Sequence, residues 1–132
     1  MWTSLNGPDP LGARCDSLLS RVEVTGGRVL VVDDDVSLRQ SVAQVLEDEG
    51  YTVDHAPDGV SALSRVAENR PDLILLDVLM PNMNGRQVLE RLRRDQETAD
   101  IPILVMTAVS GLETNQSMAL GASDIVEKPF DL

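Results

Sequence analysis

From Arg28 onward, short apolar runs closed by turn residues alternate with stretches whose apolar positions recur three or four residues apart. Val29-Leu30-Val31-Val32 is a continuous β-branched-rich run, the pattern of a parallel strand covered on both faces. Leu38, Val42, Val45 and Leu46 follow at helical spacing and stop at Gly50, a helix-ending residue. Tyr51 to Ala56 reads as a second strand, and Ala62, Leu63, Val66 and Ala67 as one face of a second helix. Leu73-Ile74-Leu75-Leu76 is a third buried strand; after a turn holding Pro81 and Gly85, Val88, Leu89 and Leu92 mark a third helix. Ile101 to Met106 gives a fourth strand, Leu112 to Leu120 a weaker fourth helix ending at Gly121, and Ile125-Val126 a fifth strand. This alternation predicts an α/β fold, a parallel sheet wound with right-handed crossovers and carrying helices on both faces. A fifth helix is expected after Lys128 to cover the last strand, and the sequence stops at Leu132 without it. The apolar surface so exposed needs a partner or further chain to cover it.

Residues 1–27 differ. Gly7, Pro8, Pro10, Gly12 and the Gly26-Gly27 pair interrupt any periodicity, so this segment reads as an N-terminal tail or linker, with one domain over residues 28–132. Inside the tail, Asp16 is placed to cap a short helix carrying Leu18, Leu19 and Val22.

Composition narrows the function. The 22 acidic and 11 basic residues leave a net charge of −11, which repels a phosphate backbone and argues against direct nucleic-acid binding. No run approaches the roughly 20 apolar residues that span a bilayer, and no basic-then-apolar leader is present, so a cytoplasmic protein without membrane contact is expected. The single cysteine, Cys15, excludes an internal disulfide framework, and three aromatics (Trp2, Tyr51 and Phe130) make stacking platforms for bases implausible.

In an open doubly wound sheet, ligands sit beyond the carboxyl ends of the strands. Here the first strand ends in Asp33-Asp34-Asp35, the third in Asp77, the fourth in Thr107-Ala108 and the fifth in Lys128-Pro129. Carboxylates gathered there repel one another strongly unless a divalent cation intervenes, and an all-oxygen donor set suits Mg²⁺, with Mn²⁺ as a substitute. Asp77 is the natural nucleophile: a carboxylate can attack phosphorus once a metal and Lys128 neutralise the phosphoryl oxygens. Thr107 can donate its hydroxyl to a phosphoryl oxygen, and Ala108 leaves room for the group. Asp35 is also well placed simply to cap the following helix.

With these residues in view, the chain resembles a response-regulator receiver domain of two-component signalling, from about Arg28 to Phe130. Val29 to Asp35 (VLVVDDD) is similar to the family's first strand and acidic pair, and Asp77 to Gly85 (DVLMPNMNG) to its phosphoacceptor segment. Thr107-Ala108 is similar to its switch hydroxyl and small neighbour, and Lys128-Pro129-Phe130 to its lysine-proline motif. The resemblance implies a flavodoxin-like five-stranded sheet of order 2-1-3-4-5. It implies a bacterial phosphorelay switch rather than an enzyme, with Asp77 phosphorylated by a sensor histidine kinase or a histidine phosphotransfer protein. Mg²⁺ would be held by Asp34, Asp77 and the backbone carbonyl of Leu79, and by Asp33 largely through water. The Lys128–Pro129 bond is cis in many relatives. The kinase is expected against the helix after the first strand, near Ser37, Leu38 and Ser41. A downstream protein or a second copy is expected on the surface of the fourth helix and fifth strand.

Two departures from the family pattern bear on the output. Ile125 stands three before the lysine, where relatives commonly carry an aromatic or histidine, so no rotating ring can report the switch. Leu79 and Val109 stand two residues after Asp77 and Thr107, flanking the approach of a hydrolytic water; both are apolar, which predicts slow self-dephosphorylation. Two other readings compete. Asp33 to Ser37 loosely fits the nucleophile motif of haloacid-dehalogenase-type phosphatases, although the acidic pair and cap those enzymes need are missing. The alternative is an interaction module whose site is unused.

Overall fold

Strand propensity, burial and turn chemistry agree along most of the chain. The computed structural model describes residues 11–20, 27–77, 85–107, 118 and 121–127. A helix α1 (Leu11–Ser20) precedes strand β1 (Arg28–Val32). Then follow α2 (Val36–Asp48), β2 (Thr52–Ala56), α3 (Gly59–Glu68), β3 (Leu73–Asp77), α4 (Gly85–Arg94), β4 (Ile103–Thr107) and β5 (Asp124–Glu127). The five strands form one parallel sheet of order β2-β1-β3-β4-β5, as the alternation and the resemblance predict. The stretch expected to form the fourth helix lies outside the described residues except for Met118, which is helical and exposed.

Because side chains alternate along a strand, each central strand feeds two cores. Leu30, Val32, Ile74, Leu76, Ile103 and Val105 face α3 and α4, where Ala62, Val66, Val88, Leu89 and Leu92 meet them. Val29, Val31, Leu73, Leu75, Leu104, Met106 and Val126 face the other way, against Val42 and Leu46 of α2. Every residue of β3 is buried, which explains why its sequence is an unbroken apolar run up to Asp77.

The second core departs from the expectation of an N-terminal tail. Residues 11–20 are helical, and Leu11, Cys15 and Leu18 lie fully inside the second core. Nor does Asp16 cap a helix: it sits within α1, exposed, and accepts a hydrogen bond from the Tyr51 hydroxyl. The short helix expected here therefore starts earlier, at Leu11, and of its expected apolar residues Leu18 is buried while the Leu19 side chain and Val22 lie outside the described residues. The physical reason for the helix is tertiary, since ten residues are too few to hold helical structure unaided.

Local devices fix the remaining junctions. Gly50 ends α2 at φ 100° and Gly121 leads into β5 at φ 107°, backbone conformations that a side chain disfavours. At Gly121 space is also short: an added Cβ would lie 3.0 Å from the Arg93 side chain. Arg93 donates to the carbonyls of Gly121 (2.9 Å), Ala99 (3.0 Å) and Ile101 (2.7 Å), tying the end of α4 to the approaches of β4 and β5.

Candidate functional site

Val32 of β1 is in register with Leu76 of β3, so the residues after them, Asp33 and Asp77, emerge side by side at the carboxyl ends of the two central strands. This is also where the order of the sheet reverses, since β1 leads outward to β2 while β3 leads to β4 on the other side. Such a switch point leaves a crevice that the connections cannot fill.

The main chain around the first acid is held firmly. The Asp33 amide donates to the Ala56 carbonyl (3.1 Å), and the Asp33 side chain accepts from the Asp35 amide (2.9 Å). Asp35 turns away to cap α2, accepting from the Leu38 amide at 3.1 Å, which is the helix-capping role its position suggests. Asp34 is left exposed between them. Arg39 was not singled out from the sequence, although its place four residues after Asp35 puts both on one side of α2. Its Nη1 donates to the Asp33 carbonyl at 2.6 Å, and its Nε is buried without a hydrogen-bond partner among the described residues. A guanidinium thus lies against the main chain of the acidic turn, where positive charge offsets carboxylate repulsion.

Asp33, Asp34 and Asp77 each bring a carboxylate oxygen to within 4.8 Å of the others. Asp33 is 0% and Asp77 4% exposed. Withdrawing two like charges from water side by side is costly unless a cation shares them, and three hard oxygen donors fit a divalent cation of the alkaline-earth kind. The structure therefore brings together three of the predicted site residues. Thr107 ends β4, beside β3 and paired with Glu127 of β5, so its main chain lies at the same edge of the sheet. Leu79, Ala108, Val109, Lys128 and Pro129 lie outside the described residues.

The sequence profile of the response regulator receiver domain matches residues 29–132. The chain belongs to the response-regulator receiver family. Among relatives, the DNA-binding dual master transcriptional regulator RpaA of Synechocystis is 42% identical over 106 residues, covering 80% of this chain and 44% of RpaA. The response regulator MprA of Mycobacterium sp. (strain KMS) is 45% identical over 106 residues, covering 80% of this chain and 45% of MprA. The chain thus spans less than half the length of these curated relatives. Among solved structures, the chemotaxis protein CheY4 of Vibrio cholerae superposes with a TM-score of 0.76 at 38% identity, covering 81% of this chain and 90% of CheY4. This receiver is accordingly a regulatory domain rather than an enzyme in the usual sense. Among its described residues, no helix is long and apolar enough to cross a membrane.

Proposed function

We propose that this receiver accepts a phosphoryl group on Asp77 from a phosphohistidine of a sensor kinase or histidine phosphotransfer protein, and that the modification changes its interaction surface. The convergence of Asp33, Asp34 and Asp77 at the switch point is the observation that supports the reading most directly. A carboxylate oxygen of Asp77 attacks phosphorus, the P–N bond to the donor imidazole breaks, and its electron pair stays on that nitrogen, which then takes up a proton. Asp33, Asp34 and Asp77, with the carbonyl of Leu79, would hold Mg²⁺, whose charge, when bound, neutralises the phosphoryl oxygens. Lys128 is assigned the opposing positive charge and Thr107 the hydroxyl that turns to the new phosphoryl oxygen, with Ala108 leaving the space. The incoming histidine is assigned to the exposed side of α2, where Ser37, Gln40, Ser41 and Gln44 surround half-buried Val45. Leu79 and Val109 can neither donate to nor accept from an attacking water, which gives the aspartyl phosphate a long life.

Incubation with acetyl phosphate and Mg²⁺, followed by borohydride trapping and mass spectrometry, tests this reading. Modification is expected at Asp77, absent in Asp77→Asn and absent without metal. A modification mapping to Asp33 or Asp35 would instead favour the phosphatase-like reading, and none at all the unused module. Loss of label as fast as in a Leu79→Asn, Val109→Glu variant would overturn the long lifetime.

A further inference from the structure

The match to the receiver family begins at residue 29, so helix α1 stands wholly outside it. Yet its Leu11, Cys15 and Leu18, four and three positions apart on one side of the helix, are 0, 0 and 2% exposed. They close the same core as Val29, Val31, Leu73, Leu75, Leu104, Met106 and Val126. Among the described residues each sheet face carries two helices. On one face these are α3 and α4; on the other, α2 lies against β1 and β2, and α1 lies against β3.

The docking has a polar fastening as well. The Tyr51 hydroxyl, just before β2, donates to the Asp16 carboxylate; Glu49 at the end of α2 has its pKa raised by burial and by the charge of Asp16. Burial and those two acids push the Cys15 thiol up to about 12, so it stays protonated and unreactive while the helix is down.

We propose that α1 is an intramolecular docking element of this receiver, seated on the β3–β4 side of the sheet. The folded unit then begins at Leu11, and the segment ahead of the family boundary is coupled to the strands that end in Asp77 and Thr107. Such an element is also displaceable. A ten-residue helix owes its structure to the surface it covers, so it can lift in a local opening that leaves the sheet folded.

Cys15 is the only cysteine of the chain, so its alkylation by N-ethylmaleimide reads the docking directly in the full 132-residue protein. Labelling in native buffer is expected to be at least about 100-fold slower than in denaturant, because modification waits for local opening. Leu18→Asp, which places a charge against the sheet, is expected to abolish that protection. Tyr51→Phe, which removes only the fastening, is expected to speed labelling several-fold while leaving the far-ultraviolet circular dichroism unchanged; it keeps the test decisive should Leu18→Asp misfold. Native labelling within about threefold of the denatured rate would overturn the proposal, as would slow labelling that neither folded variant alters. Phosphoryl transfer plays no part in this measurement, so its failure would leave the assignment of Asp77 standing.

Discussion

The two faces of the sheet are equally dry but differently built. On one, the buried side chains of β1, β3 and β4 meet α3 and α4, and all of these elements lie within the segment that matches the family. On the other, α2 covers β1 and β2, and closure of the core over β3 depends on a helix from outside that segment. The first face follows from strand–helix alternation, because each right-handed crossover lays its own helix on the sheet. The second shows that burial of a parallel sheet is a condition on the fold rather than on a particular element. What the surface requires is an apolar stripe of the right length, from whichever part of the chain can reach it.

The sharpest test uses neighbours on one strand. Leu75 and Leu76 are both 0% exposed, Leu75 facing α1 and α2 and Leu76 facing α3 and α4. Leu75→Ala and Leu76→Ala are each expected to cost about 3 kcal/mol in urea unfolding, within the range for a leucine truncated in a closed core. A cost for Leu75→Ala below about half that of Leu76→Ala would mean that the α1 face is not closed in solution. Such a result would break the equivalence of the faces.

The turns that set the two faces differ in the same way. Gly121→Ala is expected to cost about 2 kcal/mol or more, since it combines a left-handed backbone with displacement of the Arg93 clamp on the α4 side. Gly50→Ala, next to the α1 fastening but with open space around it, is expected to cost only about 1 kcal/mol by the backbone effect. Thermal melts of the two variants check the order, and a larger loss for Gly50→Ala would refute it.

Smaller effects distinguish the faces by pH. Cys15 and Tyr51 both have raised pKa values, chiefly through burial, with Asp16 adding to each. Their contribution is full below their unfolded values and is lost as pH rises through the folded ones, so α1 should loosen in alkali, toward pH 12 for Cys15. Glu49 is raised from 4.5 by burial and by Asp16, so its contribution is full below that value and declines as pH rises through the higher folded one. On the α4 side the sign reverses. The fully exposed Asp100 carboxyl is lowered by its hydrogen bond from Arg70, at 3.0 Å, so its contribution is present above 3.8 and lost on acidification. Hydrogen exchange at pH 6 and pH 9.5 is expected to show faster exchange at the higher pH in α1 than in α4, after correction for intrinsic rates; equal changes would remove the distinction. Least of all, Asp54→Asn, which breaks the part-exposed ion pair with Arg28 at 2.7 Å, is expected to cost under about 1 kcal/mol and less in high salt.

Much of this architecture is legible in the amino-acid order because its periodicities are local. The continuous apolar runs specify strands buried on both sides, and the helical stripes of α2, α3 and α4 specify the crossovers between the first four strands. Together they place Asp33, Asp34 and Asp77 at strand ends. The exact register was not legible in that way. That Asp33 and Asp77 lie side by side follows from the pairing of Val32 with Leu76, a contact between residues 44 positions apart. Arg39 went unnoticed for the same reason, since an arginine on an amphipathic helix acquires meaning only when the backbone carbonyl it reaches is known.

The N-terminal segment marks the limit most clearly. Its sparse apolar positions, set among glycine and proline, suggest at most a short helix beginning at Asp16 within a tail or linker over residues 1–27. What decided otherwise was the surface awaiting it. An isolated ten-residue helix is unstable in water, whereas the same residues packed into the core that includes Leu73, Leu75 and Leu104 bury three side chains. Alternation along the chain determined the sheet and its acidic edge; the free energy of covering that sheet, which no local stretch of sequence contains, determined where α1 lies.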